Sequence, residues 1–123
     1  MKITKIYEEK IEFDNGTTMS SHHKQSCGEW HWANFETLAS YNINPKTGET
    51  IDIKDIEFPD NIHRNIKLIP GEGFNMIAKD GSRYFVPCYG ENNGYYSTNL
   101  KLLIHREWKK DVEIDLTQCQ SIR

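Results

Sequence analysis

Three histidines, a lysine, a cysteine and two tryptophans crowd into one stretch, Met19-Ser-Ser-His-His-Lys-Gln-Ser-Cys-Gly-Glu-Trp-His-Trp-Ala-Asn-Phe35. Side chains of these types ligate metals, attack substrates, or stack on and hydrogen-bond a nucleotide. His22, His23, Cys27 and His31 include two spacings of four residues, which align side chains on a helix. No Cys-x-x-Cys pair follows, and neither Cys88 nor Cys119 has a neighbouring ligand at zinc-like spacing, so no metal and no cofactor are expected. Cys27 in the first turn of a helix beside histidines has the setting that lowers a thiol pKa. A catalytic cysteine also needs an oriented base and an oxyanion site, and no signature for either is present. The bland alternative, a cysteine acting as a small hydrophobe, is the commoner one.

A second group consists of Tyr84, Phe85, Tyr89, Tyr95 and Tyr96 around two turns, with Asn92 and Asn93 between them and Arg83 and Arg106 close by in the expected fold. Aromatic faces stack on bases, amides read base edges, and guanidinium forks clamp phosphate. Against this stands ordinary cross-strand packing of tyrosines in a sheet. Arg106 is more telling, because it ends an apolar row (Leu100, Leu102, Ile104), where a guanidinium needs an anion or another chain. His22, His23 and Lys24 form a further cationic, hydrogen-bonding patch, whose plain alternative is a polar strand end. The remaining acidic pairs read as solvated strand faces, and no Walker loop or dinucleotide glycine fingerprint occurs.

The elements that must hold these residues are expected to be α+β: an antiparallel β-meander sheet with one main helix and a short second helix packed on it. Ile11 and Phe13 alternate with Glu12 before Asp14-Asn15-Gly16, then Thr17, Thr18 and Met19. A three-residue loop with Gly16 left-handed pairs Ile11 with Met19 and Phe13 with Thr17, and so keeps the apolar residues on one face. Ser26-Cys27-Gly28-Glu29 matches a capping box. Trp32, Phe35, Leu38 and Ala39 follow at helical spacing, which predicts the main helix over about 27–40. Pro59 and Asp60 start the short helix, through Ile66. Strands are expected at 73–79, 83–89, 95–106 and 112–116, successive in the meander.

The 123 residues make one domain, 1–123, with 27% charged and 37% hydrophobic residues. The formal net charge of −3 argues against wrapping duplex DNA or RNA, which rests on a cationic surface. A small anionic ligand needs only a few local cations. No apolar run is long enough to span a bilayer and no signal-peptide pattern is present, so no membrane partner is expected. Three widely spaced cysteines suit a reduced, cytosolic protein.

In their order along the chain, several short motifs resemble the phage-encoded Thoeris anti-defence proteins of the sponge type. They are Phe13-Asp-Asn-Gly16, His23-x-Gln25-x-Cys27-x-Glu29, Ala33-Asn-Phe35, Thr47-Gly48-Glu49, Gly73-Phe74, Tyr84-Phe-Val-Pro-Cys-Tyr89 and Asn93-Gly-Tyr-Tyr-Ser97, spread from Ile6 to Arg106. The family pattern often has two adjacent cysteines where this chain has Cys27-Gly28, so no cysteine-pair role is carried over. The resemblance implies a protein that sequesters, without cleaving, cyclic ADP-ribose-type immune signals, and for some members cyclic di- or trinucleotides. It also implies a homo-oligomer with ligand pockets at chain–chain contacts, in the cytoplasm of the infected bacterial host. Phe85 or a neighbouring tyrosine (Tyr95 among them) is then expected to stack on adenine, and Asn92 or Asn93 to hydrogen-bond the ligand. Arg106 would meet the pyrophosphate, and His22, His23 and Lys24 would make a second site for a larger cyclic oligonucleotide. No catalytic residue is expected. The competing readings are a small phosphodiesterase or cysteine-dependent hydrolase using His22, His23, Cys27 or His31, and an inhibitor that masks a host defence enzyme.

Overall fold

The computed structural model describes residues 1–23, 30–40, 42–44, 46–91 and 99–122. Antiparallel pairing begins where alternation is clearest. β1 (Ile3–Ile6) pairs with β2 (Lys10–Phe13), and β2 with β3 (Thr18–His22). The hairpin register is the expected one: Ile11 faces Met19, the Phe13 amide donates to the Thr17 carbonyl at 2.9 Å, and Gly16 takes φ 84°. Ile11, Phe13 and Met19 are all buried. β10 (Lys101–His105) then lies beside β3, and β11 (Val112–Asp115) beside β10, completing sheet I in the order β1-β2-β3-β10-β11.

Sheet II is built on β9 (Arg83–Glu91), a nine-residue strand. Its first half pairs with β8 (Gly73–Ile77), which pairs in turn with β7 (Ile66–Ile69). Its second half lies between β4 (Trp30–Ala33), antiparallel, and β12 (Gln120–Ile122), parallel. A small hairpin, β5 (Asn42–Ile43) with β6 (Thr50–Ile51), stands apart from both sheets. The inward rows of the two sheets share one core. Phe58 bridges them edge-on, 6.0 Å from the Phe13 ring and 5.8 Å from the Tyr84 ring. The Ala33 amide donates to the Ser21 hydroxyl at 3.1 Å, joining β4 to β3.

The expected α+β class is therefore corrected: the described fold is mostly β, and its longest helical piece is a five-residue 3-10 turn, Phe35–Ala39. The sequence pattern misleads for a physical reason. A 3-10 turn has three residues per turn, so Phe35 and Leu38 fall on one side and both are buried, which imitates a helical stripe. Asn34 starts that turn, its side chain accepting from the Glu36 amide. The residues before it are strand: His31 and Ala33 point into the core while Trp30 and Trp32 point out, an alternation that suits aromatic side chains in a sheet. The proposed capping box at 26–29 lies outside the described residues. The expected second helix shrinks to a 3-10 turn at Ile62–Arg64, because Ile66 is already paired with Met76 in β7. The meander also breaks: β10 leaves β9 and crosses to sheet I. Leu100, Leu102 and Ile104 nevertheless share one fully buried face, as their spacing requires.

Candidate functional site

Alternation along β9 divides its side chains between two environments. Tyr84, Val86, Cys88 and Gly90 are buried, whereas Arg83 and Phe85 are exposed and Tyr89 half-buried on the outward face. The pairing places Lys67, Asn75 and Phe85 in one cross-strand row, with Phe85 42% exposed. Neighbouring strands lie about 4.8 Å apart and alternate residues about 6.7 Å apart along a strand, so Arg83 and Ile77 form the next row on the same face. Towards the other end of β9, Tyr89 pairs with Trp32 and Ser121, and Trp30 with Glu91. The Trp32 ring is 5.4 Å from Tyr89 and 6.3 Å from Trp30. Trp32 Nε1 is buried and has no hydrogen-bond partner. The outward face of sheet II thus offers aromatic rings, an amide and two cations in known register.

Arg83 also lines a groove of about 690 Å³ between the β5–β6 hairpin and the turn that follows β8, together with Asn42, Asn44, Lys46, Asp80 and Tyr84. That volume falls within the range of small-molecule sites. Asp80 is the one carboxylate lining it among the described residues. The Ser82 hydroxyl and amide donate to Asp80, and with Lys46 nearby they hold its carboxyl below the ordinary range. The groove therefore presents two cations against an acid already engaged by its own turn.

The residues singled out from sequence are distributed over several places. Phe85 is on the outward face just described. Asn92, Asn93, Tyr95 and Lys24 lie outside the described residues, as does Cys27. His22 and His23 diverge. His22 is exposed and within 2.8 Å of the Ser20 hydroxyl, while His23 is half-buried with its ring edge-on to His31 at 5.3 Å. Arg106 follows Ile104 at the parity of the inward row of β10 and is half-buried. Its Nη2 donates to the Lys110 carbonyl at 3.0 Å. Arg106 and Phe85 accordingly do not share a face. Arg106 and the His22–His23 pair occupy opposite ends of sheet I, since Lys101 pairs with His22 and His105 with Thr18.

For covalent catalysis the described cysteines are poor candidates. Burial, with Cys119 nearby, pushes the Cys88 thiol up to about 12, and burial also raises that of Cys119. His31 is fully buried, and its Nδ1 donates to Gln120 Oε1 at 2.5 Å. Sequence reasoning missed Lys67, Asn75, Trp30 and Trp32 as members of this face. The two tryptophans were readable from Trp-His-Trp-Ala taken with period two instead of three. Lys67 and Asn75 join Phe85 only through strand register, which no local pattern encodes. Comparison of the chain with protein-family models, with curated proteins and with solved structures finds no match. Among the described residues no helix is long and apolar enough to cross a membrane.

Proposed function

We propose that this protein binds and sequesters a cyclic nucleotide signal, of the cyclic ADP-ribose type or a cyclic oligonucleotide, and releases it unchanged. The observation that carries the reading is the outward row Lys67–Asn75–Phe85, exposed at Lys67 and Phe85 and half-buried at Asn75, with Arg83 beside it. An exposed phenyl ring in a rigid strand stacks a base, worth about 1–3 kcal/mol per base. The amide of Asn75 reads a base edge, and Arg83, two residues along β9 from the ring, and Lys67, two strands across from it, meet phosphate. The groove beside Arg83 gives room for the rest of a ligand. Asn92, Asn93 and Tyr95, which follow β9 directly in the chain, remain proposed contacts. His22, His23 and Lys24 remain the proposed second site, and Arg106 a proposed phosphate contact.

On this reading the chain works in the cytoplasm of an infected bacterium and disarms a defence effector by depriving it of its activator. It acts as a homo-oligomer whose contacts complete the pocket. Open apolar residues on sheet II, Phe85 and Trp30 among them, suit such a contact. The test is to incubate the protein with a panel of cyclic ADP-ribose isomers and cyclic oligonucleotides, remove free ligand by filtration, denature, and identify what is released by mass spectrometry. Stoichiometric intact ligand is expected, with retention at least tenfold weaker in Phe85→Ala. Recovery of a cleaved product overturns sequestration in favour of a phosphodiesterase or hydrolase. Retention of nothing, with a host protein co-purifying on the Trp30–Phe85 face, favours the inhibitor reading instead.

A further inference from the structure

Buried nitrogen atoms without a hydrogen-bond partner occur at both ends of the sandwich, His23 Nδ1 at one and Arg106 Nε and His63 Nδ1 at the other, and only the second set is surrounded by cations. Arg106 Nε is buried and unpartnered, although Nη2 of the same side chain is bonded to the Lys110 carbonyl. His63 belongs to the 3-10 turn Ile62–Arg64, which the fully buried Ile62 pins to the core, and its Nδ1 is also buried and unpartnered. The charged groups that depress the His63 pKa are all cations: Arg106 and Lys109 from the turn between β10 and β11, and Arg64 from its own turn. The two carboxylates of the β10–β11 turn lie elsewhere. Asp111 is bonded to His105 Nδ1 at 2.7 Å, and the Glu107 carboxylate lies over Gly16 on the β2–β3 loop. Among the described residues no acid lies within ion-pair distance of Arg106, Arg64 or Lys109.

A buried donor left without an acceptor costs about 1–3 kcal/mol, more when it is charged, and three like charges around a half-buried imidazole add repulsion. One anion removes both penalties. We propose that His63 and Arg106, with Arg64 and Lys109 at the rim, form a binding site for a phosphate-class polyanion. The site takes in Arg106, proposed above as a phosphate contact, and rests on that part of the reading, but it lies at the end of sheet I and holds whether or not the outward face of sheet II stacks a base. The charge count selects the class. Three permanent cations are poorly matched by a single carboxylate and well matched by a pyrophosphate or a phosphomonoester, and guanidinium donors fit phosphate oxygens in fixed geometry.

His63 gives the site a pH signature. Burial, then Arg106, Arg64 and Lys109, hold its pKa below the ordinary histidine value in the free protein. A bound anion offsets both effects, so binding takes up a proton and strengthens as pH falls. The experiment is calorimetric titration of the whole chain at low ionic strength. Inorganic pyrophosphate is the probe at pH 7.5. Sulfate, whose charge is constant in this range, is the probe between pH 8 and pH 5.5. Wild type is expected to bind one pyrophosphate per chain, about tenfold more weakly in Arg106→Met and severalfold more weakly in Arg64→Gln, a change at an exposed position that the fold tolerates. In His63→Gln the sulfate affinity is expected to lose its pH dependence, while Lys67→Gln, which removes a cation of the outward face, binds pyrophosphate like wild type. The proposal is overturned if wild type takes up no pyrophosphate at millimolar concentration, or if Arg64→Gln and Arg106→Met bind it as wild type does. Loss in Lys67→Gln alone overturns it equally, since the anion would then belong to the nucleotide face.

Discussion

His31 and His63 lie near opposite ends of the same sandwich, and the contrast between them separates a histidine that builds the fold from one that waits for a partner. His31 is the deeper, fully buried, yet it is bonded: Nδ1 donates to Gln120 Oε1, and Gln120 Nε2 donates onward to the Thr117 carbonyl at 3.1 Å. Its surroundings are aromatic and polar, with the His23 ring edge-on. His63 is only half-buried but lacks an acceptor or donor at Nδ1, and its charged neighbours are all of one sign. Depth of burial therefore does not mark the functional residue. A missing partner amid charges of one sign does, because a folded chain ordinarily satisfies its buried polar atoms and balances its buried charges.

If His31 is structural, removing it must cost stability. His31→Ala deletes a buried ring and the bond that its Nδ1 gives Gln120 Oε1, so a loss of about 3 kcal/mol is expected from the cavity and the lost bond together. Urea unfolding measures it, and pyrophosphate affinity should not move. A loss under about 1 kcal/mol would erase the contrast, since His31 would then be as dispensable as a surface residue. A milder intrusion tests the same contact from across the strand. Gly90 pairs with both His31 and Ile122, and a Cβ there would come within 2.8 Å of His31 Nδ1 and 2.6 Å of Gln120 Oε1. Gln120 Oε1 and Ile122 Cδ1 end flexible side chains, but Nδ1 belongs to a fully buried ring, so Gly90→Ala is expected to cost about 1–3 kcal/mol by pushing the pair apart. A proton resonance for the His31 ring that stays unchanged in Gly90→Ala would show that the pair has not been disturbed.

The same contrast explains what the sequence made legible. The Asp14-Asn15-Gly16 hairpin was readable because loop length, Gly16 and the alternation of Ile11 and Phe13 all demand one register, and its determinants are local. The buried row Leu100, Leu102 and Ile104 was readable for the same reason. The 30–40 segment was not. Phe35 and Leu38 three residues apart satisfy both a helical stripe and a 3-10 turn, and only the pairing of Trp30–Ala33 with β9 decides between them. At the candidate sites, Phe85 stood out as one of several aromatics, and Arg106 as the cation ending an apolar row. His63 stood out not at all. Its neighbours Arg106 and Lys109 are more than forty residues away in the chain, and a lone histidine next to an arginine has no pattern to distinguish it. The dense His22, His23, Cys27, His31 motif drew attention that the solitary residue deserved, because density is visible in one dimension and an absent partner only in three.

Titration provides a smaller, sharper difference. With its pKa held below the unfolded value, His63 binds fewer protons folded than unfolded, so stability is expected to fall as pH drops through about 6.5, the ordinary histidine value, and to level off below the folded pKa. His63→Gln removes this contribution, which makes the wild-type-minus-variant stability curve the quantity to measure between pH 8 and pH 5. Added sulfate should flatten the wild-type curve and shift that of the variant uniformly, without changing its slope. A difference curve that is flat without sulfate would place His63 in the same class as His31.

The smallest expected effect is the most diagnostic. Arg106→Met keeps an unbranched side chain of similar length at the end of the Leu100–Ile104 row but removes the unpartnered Nε and one of the three cations facing His63. Ordinarily, loss of a half-buried arginine with a hydrogen bond to the backbone destabilises a protein, through packing as well as charge. Here the lost bond frees only the carbonyl of Lys110, an exposed residue that water can serve. Removing a buried charge without a counter-ion offsets that loss. The expected change in anion-free buffer is therefore within about 0.5 kcal/mol of zero, of either sign. In saturating pyrophosphate the same substitution is expected to destabilise relative to wild type, because only wild type gains the linkage free energy of the bound ligand. A variant that is clearly less stable without any anion would mean that Arg106 closes the end of the core by itself. The two histidines would then differ in burial but not in kind.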